Sequence, residues 1–253
     1  GSLRTTAAED GDHYVLNGQK VFITAAHVAD YLIVIAITDP EAEDKSQSWS
    51  VFLVDAKTPG ITIRKIPKLG IHACACCEIF LENVRVPKEN RIGEDGFGFK
   101  FAMKTLAGGR IGIAAQALGI AAGALEEAVA YSRERRQFGK SISAFQGVQF
   151  QLAQCATRLE AARLVVYKAA VAKDQGRLNN GLDVAQAKYL AGEVANKCAN
   201  YAMRILGAYG YSTEYPVARF YRDAPTYTMV EGSANICKWI IALDQLGYRK
   251  ANR

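Results

Sequence analysis

The sequence predicts an α+β protein, a small antiparallel β-barrel or sandwich followed by a C-terminal four-helix bundle. Two observations carry this. Through roughly the first 95 residues, short β-branched and aromatic runs alternate with turn clusters. After Gly98 the character changes to long segments rich in Ala, Leu and Gln, with apolar residues at helical spacing. The expected domains are residues 1–95 and 96–253, with the boundary near Glu94 to Phe97.

The β region reads as follows. Tyr14 to Ile23 holds Asn17-Gly18 between two apolar runs, which predicts a hairpin. Tyr31 to Ile37 is a continuous apolar strand. Trp49 to Val54, Ile61 to Ile66 and Cys77 to Val86 follow, separated by Asp39-Pro40 and Thr58-Pro59-Gly60 and closed by Val86-Pro87. The chain enters this region straight after Gly1 to Gly11, so one sheet face is expected to lack a cover. The helical region divides into Phe99 to Arg133, Ser143 to Gln175, Leu182 to Tyr209 and a last helix from Ser233 to Leu246. Breaks fall at Phe138-Gly139 and across Gly176 to Gly181. Helices this long and alanine-rich need partners, hence a bundle.

Composition sets bounds on function. The chain has 253 residues, half of them apolar, and a net charge of +6. That charge suits an anionic ligand without pointing to nucleic acid, and no nucleic-acid-reading motif is present. No run of 18 apolar residues occurs, so no membrane span is expected, and no signal peptide opens the chain. Of the six cysteines, Cys74, Cys76 and Cys77 cluster, but no second Cys or His pair stands at ligand spacing. Reduced thiols in an apolar strand are expected there, and no metal.

The run from Tyr221 to Ile236 carries the chemistry. Glu231 lies between an apolar stretch and Gly232-Ser233-Ala234-Asn235, which opens a helix. A carboxylate among apolar neighbours suits general-base work. Backbone N–H groups at a helix start are free to donate. Base and donors side by side suit proton abstraction next to a carbonyl. The residues alone leave a second reading open, an acidic N-cap without chemistry.

Four stretches together resemble the acyl-CoA dehydrogenase family. They are Lys20 to Thr24; Arg135 to Lys140 with Phe145-Gln146; Ile205 to Gly210 with Glu214 to Pro216; and Tyr221 to Ala224 running on to Glu231-Gly232. Their order and spacing fit the family along essentially the whole chain. Residues 176–253 look most like the glutaryl-CoA branch, and the middle like short-chain enzymes. The resemblance implies an FAD-dependent enzyme that desaturates an acyl-CoA thioester at Cα–Cβ and passes electrons to an electron-transferring flavoprotein. It further implies a homo-oligomer, tetramer or dimer, in a bacterial cytoplasm or a mitochondrial matrix. The match begins inside the family's middle β domain, so the chain is expected to lack the N-terminal helical domain and part of the flavin contacts. A catalytically impaired homologue with a structural or interaction role is therefore the alternative.

By the same resemblance Glu231 is the catalytic base. The family's other base position, in the first bundle helix, is Gly109 here. Gly109, Arg110 and Gly232 would contact substrate, and the backbone N–H of Glu231 would donate to the thioester oxygen. Phe22 and Thr24 would meet the flavin. Arg135, Phe138, Gln146, Arg204, Gly207 and Ala208 would hold an adenosine and diphosphate end, Arg135 and the Gly207-Ala208 loop that of a neighbouring subunit's FAD, with Ser233 and Asn235 following the base. Without the family, Arg110 reads as a helix salt bridge, Phe22 and Thr24 as strand packing, and Arg133 to Arg136 as a solvated basic turn. Departures are Ala25 for Asn, Arg204 for Gln, Ser233 for Thr and Val230 for Tyr. Val230 removes a hydroxyl beside the reaction centre. In a glutaryl-type enzyme that bears on whether decarboxylation follows.

Overall fold

The computed structural model describes residues 3–177 and 181–248. The chain forms two compact units, Gly1–Thr105 and Leu106–Arg253.

The first unit is one seven-stranded sheet. In chain order its strands are β1 (Thr6–Asp10), β2 (His13–Thr24), β3 (Tyr31–Ile37), β4 (Trp49–Asp55), β5 (Ile61–Ile66), β6 (Cys76–Pro87) and β7 (Arg91–Ile92). They are arranged β5-β6-β2-β1-β3-β4-β7. The sheet is open rather than closed into a barrel. It is antiparallel except where β1 meets β3 in parallel at Thr6 and Ile37. Alternate residues point inward, as the two-residue strand period requires. Leu16, Val34, Phe52, Val54, Val84 and Val86 are buried, with the Tyr14 ring edge-on to Phe52 at 4.9 Å. On the other face of β3, Tyr31 and Ile33 remain about 60% exposed (62% and 59%). The uninterrupted apolar run there is thus half-buried only.

The expected hairpin at Asn17-Gly18 does not form, and β2 runs straight through it. The register on β6 shifts between Leu16 and Gly18, which marks a bulge. Asn17 Oδ1 accepts from the Asn83 backbone N–H at 2.8 Å, and its Nδ2 donates to Asn83 Oδ1. Gly18, at φ 138°, passes so close to Thr5 that a Cβ would lie 2.8 Å from its Cα. The glycine therefore serves close approach, the other meaning of Gly in a strand. The turn that reverses the chain is Gly11, between β1 and β2.

The second unit is built on four long helices, α1 (Gly98–Glu134), α2 (Gln146–Asp174), α3 (Leu182–Leu206) and α7 (Ala234–Gln245). Three short ones lie between the last two: α4 (Ala208–Tyr211), α5 (Val217–Asp223) and α6 (Thr226–Met229). The expected helix through Tyr209 stops at Leu206 because Gly207 breaks it at φ 60°, ψ −131°. Strands β8 (Arg136–Gln137) and β9 (Lys140–Ser141) make a small ribbon between α1 and α2. Buried residues on α1 are Ala114, Ala117, Ala121, Ala124 and Ala128; on α2 they are Cys155, Leu159, Ala162, Val166 and Ala169. The alternating three- and four-residue steps are those of antiparallel helices packed at a shallow angle. By length and composition α1 is also long enough to cross a membrane, but this alanine stripe is bundle core. Helix α3 buries residues on most of its circumference, contacts every other helix from α2 to α7, and is the centre of the unit. Residues 178–180, within the expected break after Gly176, lie outside the described residues.

In the sheet, Lys20 has a definite task. Strand β1 is short, so β2 and β3 face each other beyond its end, and the Lys20 Nζ crosses to donate to the Ile35 carbonyl at 2.6 Å. Burial pushes this ammonium down to about 8. The unfolded chain then holds the proton to higher pH than the folded one. Stability contributed through Lys20 rises as pH goes from about 8 to 10. Relative to Lys20→Met, the parent is expected to gain on the order of 1–2 kcal/mol over that range, after allowance for solvent screening. Urea unfolding followed by Trp49 fluorescence in a Trp239→Phe background measures it.

Candidate functional site

Glu231 sits in a four-residue connection between α6 and α7. Helix α6 ends at Met229, its C-cap Val230 turns extended (φ −74°, ψ 158°), and Ser233 is the N-cap of α7. The Ser233 hydroxyl accepts from the Ile236 N–H at 3.4 Å, so the N-cap is Ser233 and not Glu231. Between them Glu231 and Gly232 are both left-handed, at φ 52° and 91°. Glycine adopts this region freely, whereas for a glutamate it is a local cost of about 1–3 kcal/mol.

Contacts from two helices hold that backbone. Arg110, half-buried on α1, donates from Nε to the Glu231 carbonyl oxygen at 3.2 Å. Its side chain also lies under Gly232, where an added Cβ would come within 3.0 Å of Nε. Arg110 thus bonds the backbone of the connection rather than forming a carboxylate pair. From α7, the buried Cys237 thiol reaches the Gly232 carbonyl oxygen at 3.7 Å. Burial pushes that thiol up, so it stays protonated and able to donate.

The carboxylate itself lies over Gly109. A Cβ built there would stand 2.5 Å from Oε2 and 2.9 Å from the carboxyl carbon. The missing side chain on α1 is the space that the Glu231 carboxylate occupies. Gly109, Arg110, Glu231 and Gly232 are therefore one constellation.

A single face of α3 lines the segment leading to it. Asn196 Nδ2 donates to the Ala224 carbonyl at 3.1 Å. One turn earlier, Gly192 lets the Tyr227 carbonyl approach to 2.6 Å of where its Cβ would be. A further turn earlier is Lys188, 1% exposed, whose Nζ has no hydrogen-bond partner. Sequence reasoning missed all three. The signal was their i, i+4, i+8 spacing on the apolar side of an alanine-rich helix.

A second group lies at the other end of α3. The Arg135 guanidinium stands 6.0 Å from the Tyr209 ring centre, which places it beside Gly207 and Ala208. Tyr131, Tyr209 and Tyr215 form an aromatic cluster there. Arg135, Arg204, Gly207 and Ala208 are exposed, and nothing lies within 4 Å of the Cβ position of Gly207. Phe138, left-handed at the tip of the β8–β9 ribbon and 90% exposed, stacks edge-on with Phe145 next to the exposed Gln146. The exposed Asn235 lies in the first turn of α7.

In the sheet unit, Phe22 and Thr24 share a stretch of β2 where the register shifts between Lys20 and Ile23. The bulge leaves Phe22 left-handed and 73% exposed, which strand packing does not account for. Thr24 is exposed and paired with Cys76. In the cysteine cluster Cys74 is exposed, Cys76 half-buried, and the buried Cys77 has its thiol 3.8 Å from His27 Nδ1. Among the described residues no group of three His, Cys, Asp or Glu is placed to hold a metal ion.

Comparison with known proteins bears on these arrangements. The acyl-CoA dehydrogenase C-terminal domain matches residues 96–246, and the acyl-CoA dehydrogenase middle domain matches residues 1–84. A glutaryl-CoA dehydrogenase of Desulfococcus multivorans is 58% identical over 253 residues, all of this chain and 64% of that protein. The CarC subunit of the caffeyl-CoA reductase–Etf complex of Acetobacterium woodii is 44% identical over 96% of this chain and 63% of its own length. The structure of a glutaryl-CoA dehydrogenase in complex with glutaryl-CoA superposes with a TM-score of 0.95 at 58% identity, over 100% of this chain and 64% of that one. The chain thus spans somewhat under two thirds of the relatives it matches.

The geometry at Gly109 makes a prediction of its own. Gly109→Ala improves helix propensity by about 1 kcal/mol but places a methyl where the carboxylate lies. The bundle is expected to keep or raise its melting temperature while Glu231 is displaced. Thermal melting and a crystal structure of the variant check both halves.

Proposed function

The chain belongs to the acyl-CoA dehydrogenase family, and from that premise we propose that the protein of which it is part dehydrogenates an acyl-CoA thioester at Cα–Cβ, with Glu231 as the base. The observation that carries this reading is the half-buried Glu231 carboxylate, held over Gly109 by a strained backbone. A base must be fixed in space and still have a free lone pair, and the Glu231 side chain makes no hydrogen bond among those in the structure.

The chain's residues divide the work as follows. Glu231 takes the α-proton on its carboxylate. The Glu231 N–H is free to donate to the thioester oxygen, because the last α6-type bond is that of the C-cap Val230 N–H to the Thr226 carbonyl and the connection bonds through its carbonyls instead; such a donor stabilises charge as it develops. Arg110 and Cys237 fix the connection, so neither base nor donor has to be ordered when substrate binds. Arg110 also keeps a positive charge beside the reacting carbonyl.

FAD is the cofactor of this reading. The residues present fit it: an exposed Phe22 lifted by a bulge, an exposed Phe138 at a ribbon tip, and exposed Arg135 and Arg204 beside an open Gly207. Aromatic faces suit the ring systems and arginines suit the diphosphate. When bound, FAD supplies the acceptor for the β-hydride. Phe22 and Thr24 would hold the ring end of one FAD; Arg135, Phe138, Gln146, Arg204, Gly207 and Ala208 would hold an adenosine and diphosphate end, Arg135 and the Gly207-Ala208 loop that of a neighbouring subunit's FAD. Ser233 is already used as a helix cap, so its contact would be through whatever that cap leaves free, with Asn235 beside it.

The substrate class is glutaryl-CoA-like, supported by the 58% identity to a glutaryl-CoA dehydrogenase. An electron-transferring flavoprotein is the proposed acceptor partner, supported by the likeness to a subunit of an Etf complex. A homo-oligomer is proposed on family grounds.

The test is Glu231→Gln, which keeps volume and shape but removes the basic site. Anaerobic flavin bleaching by glutaryl-CoA is expected to slow by about 10²–10⁴-fold, with FAD content and substrate affinity held near those of the parent. Bleaching at the parental rate by the Gln variant would refute the assignment.

A further inference from the structure

We infer that Lys188 is a positioning residue for the Glu231 site, a buried ammonium one turn of α3 beyond Gly192 that supplies a positive charge facing the base connection. The inference rests on Glu231 being the base and extends that reading to a residue outside the family signatures quoted above.

Three observations place it. Lys188 is the one fully buried cation among the described residues, and its Nζ has no hydrogen-bond partner. A buried unpaired ammonium is expensive and rarely kept without a task. Next, the helical face that carries it is already committed to the segment before the base. Asn196 bonds the Ala224 carbonyl and Gly192 receives the Tyr227 carbonyl. The segment therefore runs antiparallel to α3, and the next turn, Lys188, falls level with residues 230–232. Finally, the charges that act on Lys188 come from two elements of the constellation, Arg110 on α1 and Glu231 in the connection, with the neutral Cys237 thiol of α7 beside them. Of the acids on its own helix, Asp183 is paired with Lys168 at 3.1 Å and Glu193 is exposed.

Burial lowers the Lys188 ammonium, and Arg110 adds to this, while Glu231 opposes it. The Glu231 carboxylate thus favours the charged form of Lys188. A carboxylate that must be ionised to take a proton gains from a cation fixed in low dielectric, where attraction is stronger than in water.

The test titrates the Glu231 carboxylate by infrared difference spectroscopy in the full-length holoprotein. Its band is assigned by its absence from Glu231→Gln, and kcat/KM for glutaryl-CoA is followed over the same pH range. In Lys188→Met and Lys188→Gln, the band midpoint and the acid limb of kcat/KM are both expected to move to higher pH by about half to one unit. Melting temperature should hold or rise, since an unpaired buried charge has gone. Lys188→Arg should leave midpoint and limb in place; should Arg not fit the site, the two neutral variants decide alone. An unmoved band midpoint in folded Met and Gln variants overturns the inference, even if Glu231→Gln is inactive. A moved midpoint alongside an active Glu231→Gln keeps the coupling and removes the base instead. The two readings therefore fail separately.

Discussion

A glutamate held at φ 52° needs something to hold it, and the hydrogen bond from Arg110 Nε to the Glu231 carbonyl is the interaction on which the site depends. The strain is about 1–3 kcal/mol, and a hydrogen bond from a charged donor contributes about 1.5–3 kcal/mol. The two are of one size, so neither dominates without help. Help comes from Gly232, which removes a second steric cost, from the Cys237 thiol on the next carbonyl, and from Ser233, which anchors the start of α7. The consequence is a carboxylate whose place is set by backbone rather than by its own hydrogen bonds. That is the condition a general base requires.

The bundle exists, in this view, to bring three distant stretches to one point. Helix α1 contributes Gly109 and Arg110, α3 contributes the Lys188, Gly192 and Asn196 face, and the short helices deliver Glu231. Small residues make the approach possible. The buried alanines of α1 present a small-residue face to the bundle, and Gly192 lets a backbone carbonyl come within contact of α3. A larger residue at Gly192 would act on the site through packing, by pushing back the Tyr227 carbonyl.

Much of this was legible in the sequence, for identifiable reasons. The long helices were, because apolar periodicity over 25 to 37 residues has few alternatives. Strands β3 to β6 were, because turn residues bracket them. The Asn17-Gly18 hairpin was misread because the same dipeptide serves a turn and a bulge. What decides is the partner strand, here Asn83 on β6, 66 residues away. Strand β1 was missed although Asp10-Gly11 marks its turn, since Thr6 to Asp10 is too polar to look like a strand. Helices α5 and α6 were missed because each is a few residues long, although Pro216 and Pro225 stand at their starts. Of the site, Glu231, Gly109 and Arg110 were found through resemblance. Lys188 was not, because a lone lysine in an alanine-rich helix reads as solvated, and only tertiary structure shows that it is buried.

The central claim is that Arg110 holds Glu231 in its left-handed geometry over Gly109. The most direct measurement is a crystal structure of Arg110→Met beside that of the parent. The account predicts that the parent keeps φ of Glu231 near 52°, while in the variant residues 230–233 leave the left-handed region or become disordered and the carboxylate moves off Gly109. An Arg110→Met structure with Glu231 unmoved, at the same φ and over the same glycine, would contradict it.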